Sequence, residues 1–474
     1  MPETEQSAAG TSAASASGAP APVRDDELDA LFAPLSAHRS VLLAVSGGSD
    51  STALAFLFAR WRSLRAWMPD DTARPVPAAP PVPAAVVATV DHALRPGSAD
   101  EAKAVGELVG RFDLPHRILV WQGEKPTSDL QAAARDARYA LLLEAARHCG
   151  ATAIVTAHTL DDQAETFLMR LGRGSGLAGL SAMRPERQLD ECVLVRPLLG
   201  IDRERLRATL RAAGIAWSDD PSNENPAFAR VRLRRLMPLL AAEGLTAGRL
   251  SATAARLARA QSVIDDLVAD LATRTVERHP GGFAAIDLVA LSQAHEEVAL
   301  RLFSRVISDV GGGWYGPRLE RLEAAFRAVT APLPDGGGRP PARTLGGTAI
   351  IRRGTRLWIH REAGRDGLPS LALAPGETSM WDGRVSVSLA SHAPHHIVVA
   401  PLGPGGRKLT GIKAKAGVTR DGDLPPASAL ATVPAAWAEG TLVAVPALNF
   451  YSAPAWADLI GFGPWPRHAG ARGR

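Results

Sequence analysis

A short apolar run that breaks into a glycine-bearing turn and then into helix-forming sequence constrains this chain more than any other feature. Val41-Leu42-Leu43-Ala44-Val45 leads into Ser46-Gly47-Gly48-Ser49-Asp50-Ser51, and Thr52 to Trp67 follows with helix-compatible composition. An unbroken apolar run ending in a turn is how a parallel strand covered on both faces reads. The pattern repeats: Ala85–Val90, Arg117–Trp121 and Ala153–Thr156 read as strands, each followed by a helical stretch, at Ser98–Phe112, Leu130–Cys149 and Asp161–Leu171. Strands alternating with helices predict an α/β fold built on a doubly wound parallel sheet. Ligands of such sheets sit beyond the carboxyl ends of the strands, where most of the unusual polar residues fall.

At 474 residues the chain is too long for one domain of ordinary size. Residues 1–23 are Ala/Ser/Gly/Pro-rich and read as a disordered tail. Residues 24–225 carry the strand–helix alternation, interrupted by a Pro-rich stretch at 69–83 that reads as a surface insertion. Residues 226–332 read as a helical middle domain. In it Leu250, Leu257, Ile264 and Leu271 recur every seven residues, the mark of a long amphipathic helix packed on a domain. Helices are also expected over Ser292–Val310 and Pro317–Val329. Residues 343–474 read as a small mixed or β-rich domain, with strand-like runs at Thr348–Arg352, Leu357–His360, Val385–Leu389, Ile397–Val399 and Leu442–Val445.

Composition closes off several function classes. No window approaches the ~18 consecutive apolar residues of a membrane span. The first residues have neither a basic stretch nor an apolar core, so no secretory signal is read there and a cytoplasmic protein is expected. Cys149 and Cys192 are the only cysteines, too few for a disulfide framework or a cysteine-ligated metal. The formal charge of +4 permits a polyanionic partner without requiring one.

The turn Ser46–Ser51 is the strongest chemical signal. Two glycines let the backbone bend sharply and present N–H groups to phosphate oxygens. The helix that follows points its positive end the same way, and Ser46, Ser49 and Ser51 add hydroxyl donors. Asp50, a carboxylate among phosphates, makes sense with Mg²⁺ between them. No Gly-x-x-x-x-Gly-Lys-Ser/Thr sequence occurs, so this is not the loop of kinases and GTPases. Asp162 and Glu165 lie three apart at a helix start and share one face; they serve either a substrate ammonium or capping and surface charge. His158, at a strand end, either touches nucleotide or orders its turn. Arg135 and Arg138 lie on one helix and can neutralise phosphate, although one of the two can equally be a solvated surface residue. Asp91 ends a buried strand and is a candidate nucleotide or metal contact.

The hexapeptide resembles the pyrophosphate-binding loop of the ATP-pyrophosphatase (PP-loop) superfamily, whose members cleave ATP between the α- and β-phosphates. Further stretches resemble tRNA(Ile)-lysidine synthetases in particular. They are Val90-Asp91-His92-Ala93-Leu94-Arg95-Pro96, Gln131 to Tyr139, His158-Thr159-Leu160-Asp161-Asp162-Gln163-Ala164-Glu165-Thr166, Arg173-Gly174-Ser175-Gly176-Leu177 and Asp220-Pro221-Ser222-Asn223. The resemblance spans about residues 40–240 in the family's order. The basic run Arg230-Val231-Arg232-Leu233-Arg234-Arg235 matches a tRNA-contacting segment, with Val231 and Arg235 in place of the family's Asn and His. Lys408, Lys413 and Lys415 fall in an eroded form of its lysine-rich C-terminal helix.

The resemblance implies a ligase that uses ATP and Mg²⁺ to adenylate the wobble cytidine (position 34) of the CAU-anticodon isoleucine tRNA. Free lysine then attacks C2, leaving lysidine, AMP and pyrophosphate. It further implies nucleotide contact by Ser46 to Ser51 and His158, Mg²⁺ at Asp50, and chemistry at Asp50, Asp91, Arg135, Arg138, Asp162 and Glu165. Lysine would lie at Asp162 and Glu165; tRNA would meet Arg230, Arg232, Arg234, Arg235 and the three C-terminal lysines. The rivals are another enzyme of the superfamily or a non-catalytic tRNA-binding relative. A tRNA thiolase would need Cys-x-x-Cys pairs, which are missing from this sequence, and an amidotransferase would need a glutaminase cysteine.

Overall fold

The computed structural model describes residues 20–67, 82–126, 128–189, 191–218, 226–312, 316–332, 341–405, 408 and 424–463. The motif at 220–223, most of the 69–83 insertion, Lys413 and Lys415 lie outside the described residues. The chain divides into two compact units after Arg259.

The first unit opens with α1 (Asp25–Phe32) and continues β1 (Ser40–Ala44), α2 (Ser49–Trp67), β2 (Ala84–Asp91), α3 (Ser98–Gly110), β3 (His116–Val120), α4 (Leu130–Cys149), β4 (Ala153–Val155) and α5 (Leu160–Leu171). After α6 (Leu177–Leu180) come β5 (Glu186–Leu189), β6 (Cys192–Val195), α7 (Arg203–Ala212), α8 (Ala229–Ala242) and the start of α9 (Ala247–Thr275). The six strands lie in the order β3-β2-β1-β4-β6-β5. All neighbours pair in parallel except β5, which returns antiparallel on β6.

Period-two alternation divides the strand residues between two layers. Val41, Leu43, Val87, Val155 and Val195 face a core with Leu54, Leu57, Phe58 and Trp61 of α2, Val105 and Val109 of α3, and Leu206 and Leu210 of α7. Leu42, Ala88, Ile154 and Leu194 face the opposite way, against Leu142, Ala145 and Ala146 of α4. Helices on both faces of a parallel sheet are the doubly wound arrangement. Val23, at the end of the stretch read as a tail, is buried, and its N–H donates to Thr209 Oγ1 at 2.9 Å.

The second unit holds the remainder of α9, then β7 (Val276–His279), β8 (Phe283–Asp287), α10 (Leu288–Gln293), α11 (Glu296–Gly311) and α12 (Leu319–Thr330). The helix expected over Ser292–Val310 is α11, which starts later than expected, the first two residues of the range closing α10. Ala294 is extended, and the His295 ring accepts from the N–H of Glu297 at 3.3 Å to start α11 afresh. β7 and β8 lie in the stretch read as helical. They form a five-stranded sheet, β7-β8-β11-β10-β9, with β9 (Arg343–Leu345), β10 (Thr348–Arg353) and β11 (Arg356–Arg361). Further β-strands beyond residue 370 make a five-stranded and a three-stranded sheet. The heptad stripe on α9 serves two cores: Leu250 and Ala254 pack with Phe167 in the first unit, and Val268 and Leu271 in the second.

Candidate active site

The carboxyl ends of β1, β2, β4 and β6 converge on the turn after β1. Gly47 takes φ +89°, a conformation that L side chains rarely adopt, and a Cβ there would stand 2.9 Å from Val105 Cγ2. Side chains brace the turn from within. Ser51 Oγ accepts from the Ser46 N–H at 3.1 Å and donates to the Gly48 carbonyl at 3.0 Å; Thr52 Oγ1 donates to the Gly47 carbonyl at 3.2 Å. α2 begins at Ser49, so its free N–H groups and positive end face the mouth of the turn. Ser46 is exposed, while Ser49 and Ser51 are buried.

Asp50 leaves this turn toward a residue that sequence reasoning missed. Arg203, first residue of α7, places Nε 3.0 Å from Asp50 Oδ2, Nη2 3.2 Å from Asp162 Oδ1 and Nη1 3.8 Å from Glu165 Oε1. Its backbone N–H donates to Asp161 Oδ2 at 2.8 Å. One guanidinium thus gathers three of the expected site carboxylates. A local signal for it existed: a cation in the first turn of a helix opposes the helix dipole and needs carboxylates nearby.

Of the two readings of Asp162, the structure describes the capping one. Thr159 caps α5: its Oγ1 accepts from the Asp162 N–H at 3.3 Å, and Asp162 Oδ2 accepts from the Thr159 N–H at 2.9 Å. The other oxygen, Oδ1, meets Arg203. Glu165 is 1% exposed and also accepts from Arg234 Nε of α8 at 2.9 Å.

Environment drives these carboxylates apart. Burial raises the Glu165 pKa, with Arg234 offsetting it in part. Burial likewise raises that of Asp50 against the pull of Arg203. Asp162 is buried too, but Arg203 and the Thr159 N–H outweigh the burial and hold it below the usual carboxylate range. A cavity of about 330 Å³ opens beside the cluster, lined by Asp161, Glu165, Arg203, Arg234, Met237 and Pro238 among others. That is the low end of small-molecule pockets.

Positive charge gathers around His158. Burial lowers the pKa of Arg138, Arg170 and Arg196, and neighbouring guanidiniums, Arg135 and Arg230 among them, add to the effect. Among the described residues, Arg135, Arg138, Arg170, Arg196 and Arg230 form no ion pair with a carboxylate. Arg196, at the end of β6, is also new to the site. It is 5% exposed, its Nη1 donates to the Arg184 carbonyl at 2.7 Å, and its Nε has no partner. His158, bonded through Nδ1 to Thr156 Oγ1 at 2.9 Å, is pushed down to about 4 by burial and then by the Arg196 charge. It is therefore a neutral imidazole at pH 7.

The remaining expected residues divide. Asp91 is buried and its carboxylate closes a turn, accepting from the Ala93 N–H at 2.8 Å. Arg138 lies 3.4 Å from His92 Nε2, and Arg135 stacks over the Tyr139 ring at 5.3 Å. Arg232 donates to the carbonyls of Pro226 and Ala227 and so braces the start of α8. Arg235 is exposed, as is Lys408, which belongs to the second unit.

Fold and turn together define a PP-loop nucleotide-binding domain, and a family model described as a PP-loop domain matches residues 21–240. The tRNA(Ile)-lysidine synthase of Methylobacterium sp. (strain 4-46) is 48% identical over 328 residues, covering 69% of this chain and 90% of the relative. That of Ruegeria pomeroyi is 37% identical over 423 residues, covering 89% of this chain and 92% of the relative. That of Brucella suis biovar 1 is 37% identical over 424 residues, with 88% of each covered. The chain belongs to the tRNA(Ile)-lysidine synthase family.

Proposed function

We propose that the protein ligates free lysine to C2 of the wobble cytidine of the CAU-anticodon isoleucine tRNA, consuming ATP and releasing AMP and pyrophosphate. The observation that carries this reading is the joining of the phosphate-type turn to the Asp162/Glu165 pair through one side chain, Arg203. The turn supplies N–H donors and the exposed Ser46 hydroxyl for the polyphosphate, aimed by the helix start behind it. The arginines around His158, which have no carboxylate partner among the described residues, suit the phosphates of nucleotide and RNA.

Asp50 fits a magnesium site of the usual nucleotide kind, in which one carboxylate joins phosphate oxygens and waters. No cluster of three potential protein ligands occurs among the described residues, so no all-protein cage competes with that arrangement. When bound, the ion offsets charge on the departing pyrophosphate.

Asp162 and Glu165 divide the work on lysine. Asp162, held ionised, fixes the ammonium. Glu165, its pKa raised by burial, is the better proton acceptor when that ammonium becomes the attacking amine. The 330 Å³ cavity against Glu165 gives the amino acid a place to lie. No helix among the described residues is long and apolar enough to cross a membrane. Sustained, multiple-turnover pyrophosphate release that requires both tRNA and lysine is the expected result; tight tRNA binding without turnover would favour a non-catalytic relative instead.

A further inference from the structure

We infer that Arg203 couples the metal–nucleotide site to the lysine site, so that each ligand strengthens binding of the other. This rests on the function proposed above. The carboxylate oxygens of Asp50, Asp162 and Glu165 already have partners. Asp50 Oδ2 meets Arg203 Nε at 3.0 Å, and Oδ1 accepts from Ser49 Oγ at 3.2 Å. Asp162 spends Oδ2 on its helix cap and Oδ1 on Arg203. Glu165 Oε1 lies 2.9 Å from Arg234 and 3.8 Å from Arg203.

A cation approaching Asp50 and an ammonium approaching Asp162 therefore both contend with the same guanidinium. That group is a rigid planar fork. It cannot release Asp50 from Nε while holding Nη1 and Nη2 unmoved on Glu165 and Asp162. Whichever ligand binds first bears the cost of undocking Arg203, and the second finds its carboxylates already released. Shared undocking of this kind is positive coupling, and it is reciprocal.

Two features keep the undocking within reach of ligand binding. Arg203 sits at the first position of α7, where the helix dipole disfavours a cation. Magnesium arrives with a polyphosphate whose negative charge exceeds its own, so it does not repel the ammonium.

The test uses the full chain and labelled L-lysine in equilibrium dialysis, alone and with Mg²⁺ plus α,β-methylene-ATP, which cannot be cleaved between the α- and β-phosphates. The lysine Kd of the wild type should tighten by about 5- to 150-fold with nucleotide present. The nucleotide Kd should tighten by the same factor with lysine. Arg203→Met should bring that factor to within about twofold of one by removing the fork. Arg203→Lys keeps the charge and supports folding, but a point charge cannot span three carboxylates, so its coupling should collapse as well.

An unchanged or weakened lysine Kd with nucleotide in the wild type overturns the inference, as does a wild-type coupling factor in a folded Arg203→Lys. If labelled lysidine forms but coupling is missing, this inference alone fails. If lysine binds in no state and no lysidine forms, the functional reading falls and takes the inference with it.

Discussion

Replacing Asp50 with asparagine separates catalysis from RNA binding more cleanly than any other single change. The amide keeps the volume of the side chain in a turn already braced by Ser51 and Thr52, so the backbone that faces the phosphates should persist. Burial disfavours the Asp50 charge, and Arg203 retains Asp162 and Glu165 when that charge is removed. The stability change should therefore stay within about 1 kcal/mol, or ~2–4 °C in melting temperature. Loss of one preorganised electrostatic group costs about 3–4 kcal/mol of transition-state stabilisation, or roughly 10²- to 10³-fold in rate. Sustained pyrophosphate release in the presence of tRNA and lysine should fall by that factor. The tRNA Kd and its salt slope, which count phosphate contacts, should not move, because a carboxylate makes none. Pyrophosphate release within a few-fold of wild type by a folded Asp50→Asn would refute the role assigned to this residue.

Other perturbations probe the supports of the site. Arg234→Met removes the 2.9 Å partner of a Glu165 side chain that is only 2% exposed; because Arg234 itself is half-buried, about 1–2 kcal/mol of stability should be lost in a denaturant melt. Thr159→Val deletes the cap of α5 and should cost about 1–2 kcal/mol, with a higher KM for lysine as Asp162 loosens; an unchanged KM would mean that the cap does not position Asp162. His158 has a folded pKa of about 4 against an ordinary 6.5, so protonation favours the unfolded chain between those values. Its contribution to stability is complete above the upper value and drains as the pH falls toward the lower, by up to about 1.4 kcal/mol per pH unit. The stability difference between wild type and His158→Gln should therefore shrink from pH 7 to pH 5, and a constant difference would contradict the burial argument.

The parallel sheet was legible because its strands are covered on both faces and read as apolar runs; the bounds of α4 fell where the sequence placed them, before Gly150. The β5–β6 hairpin was not. Glu186-Arg187-Gln188-Leu189 is a short polar edge strand without an apolar run to announce it. β7 and β8 escaped for a related reason. Val276-Glu277-Arg278-His279 does not alternate, and β8 finds its second partner only at β11, whose Arg356–His360 pairs with Asp287–Phe283 across a long stretch of chain.

The candidate site divides along the same line. Ser46–Ser51, His158, Asp162 and Glu165 stand in local motifs, and each motif carries its own turn or cap. Arg203 and Arg196 lie outside the motifs read from the sequence. Asp50 and Asp162, which its guanidinium bonds, are 153 and 41 residues away, so only the fold brings them together.

The most direct measurement is mass spectrometry of nucleosides from isoleucine tRNA incubated with the protein, ATP, magnesium and isotopically labelled lysine. A cytidine-derived nucleoside carrying the full lysine label at the wobble position is expected, with one AMP formed for each. Unmodified cytidine there, after incubation with a folded protein that binds both ATP and the tRNA, would contradict the proposed function.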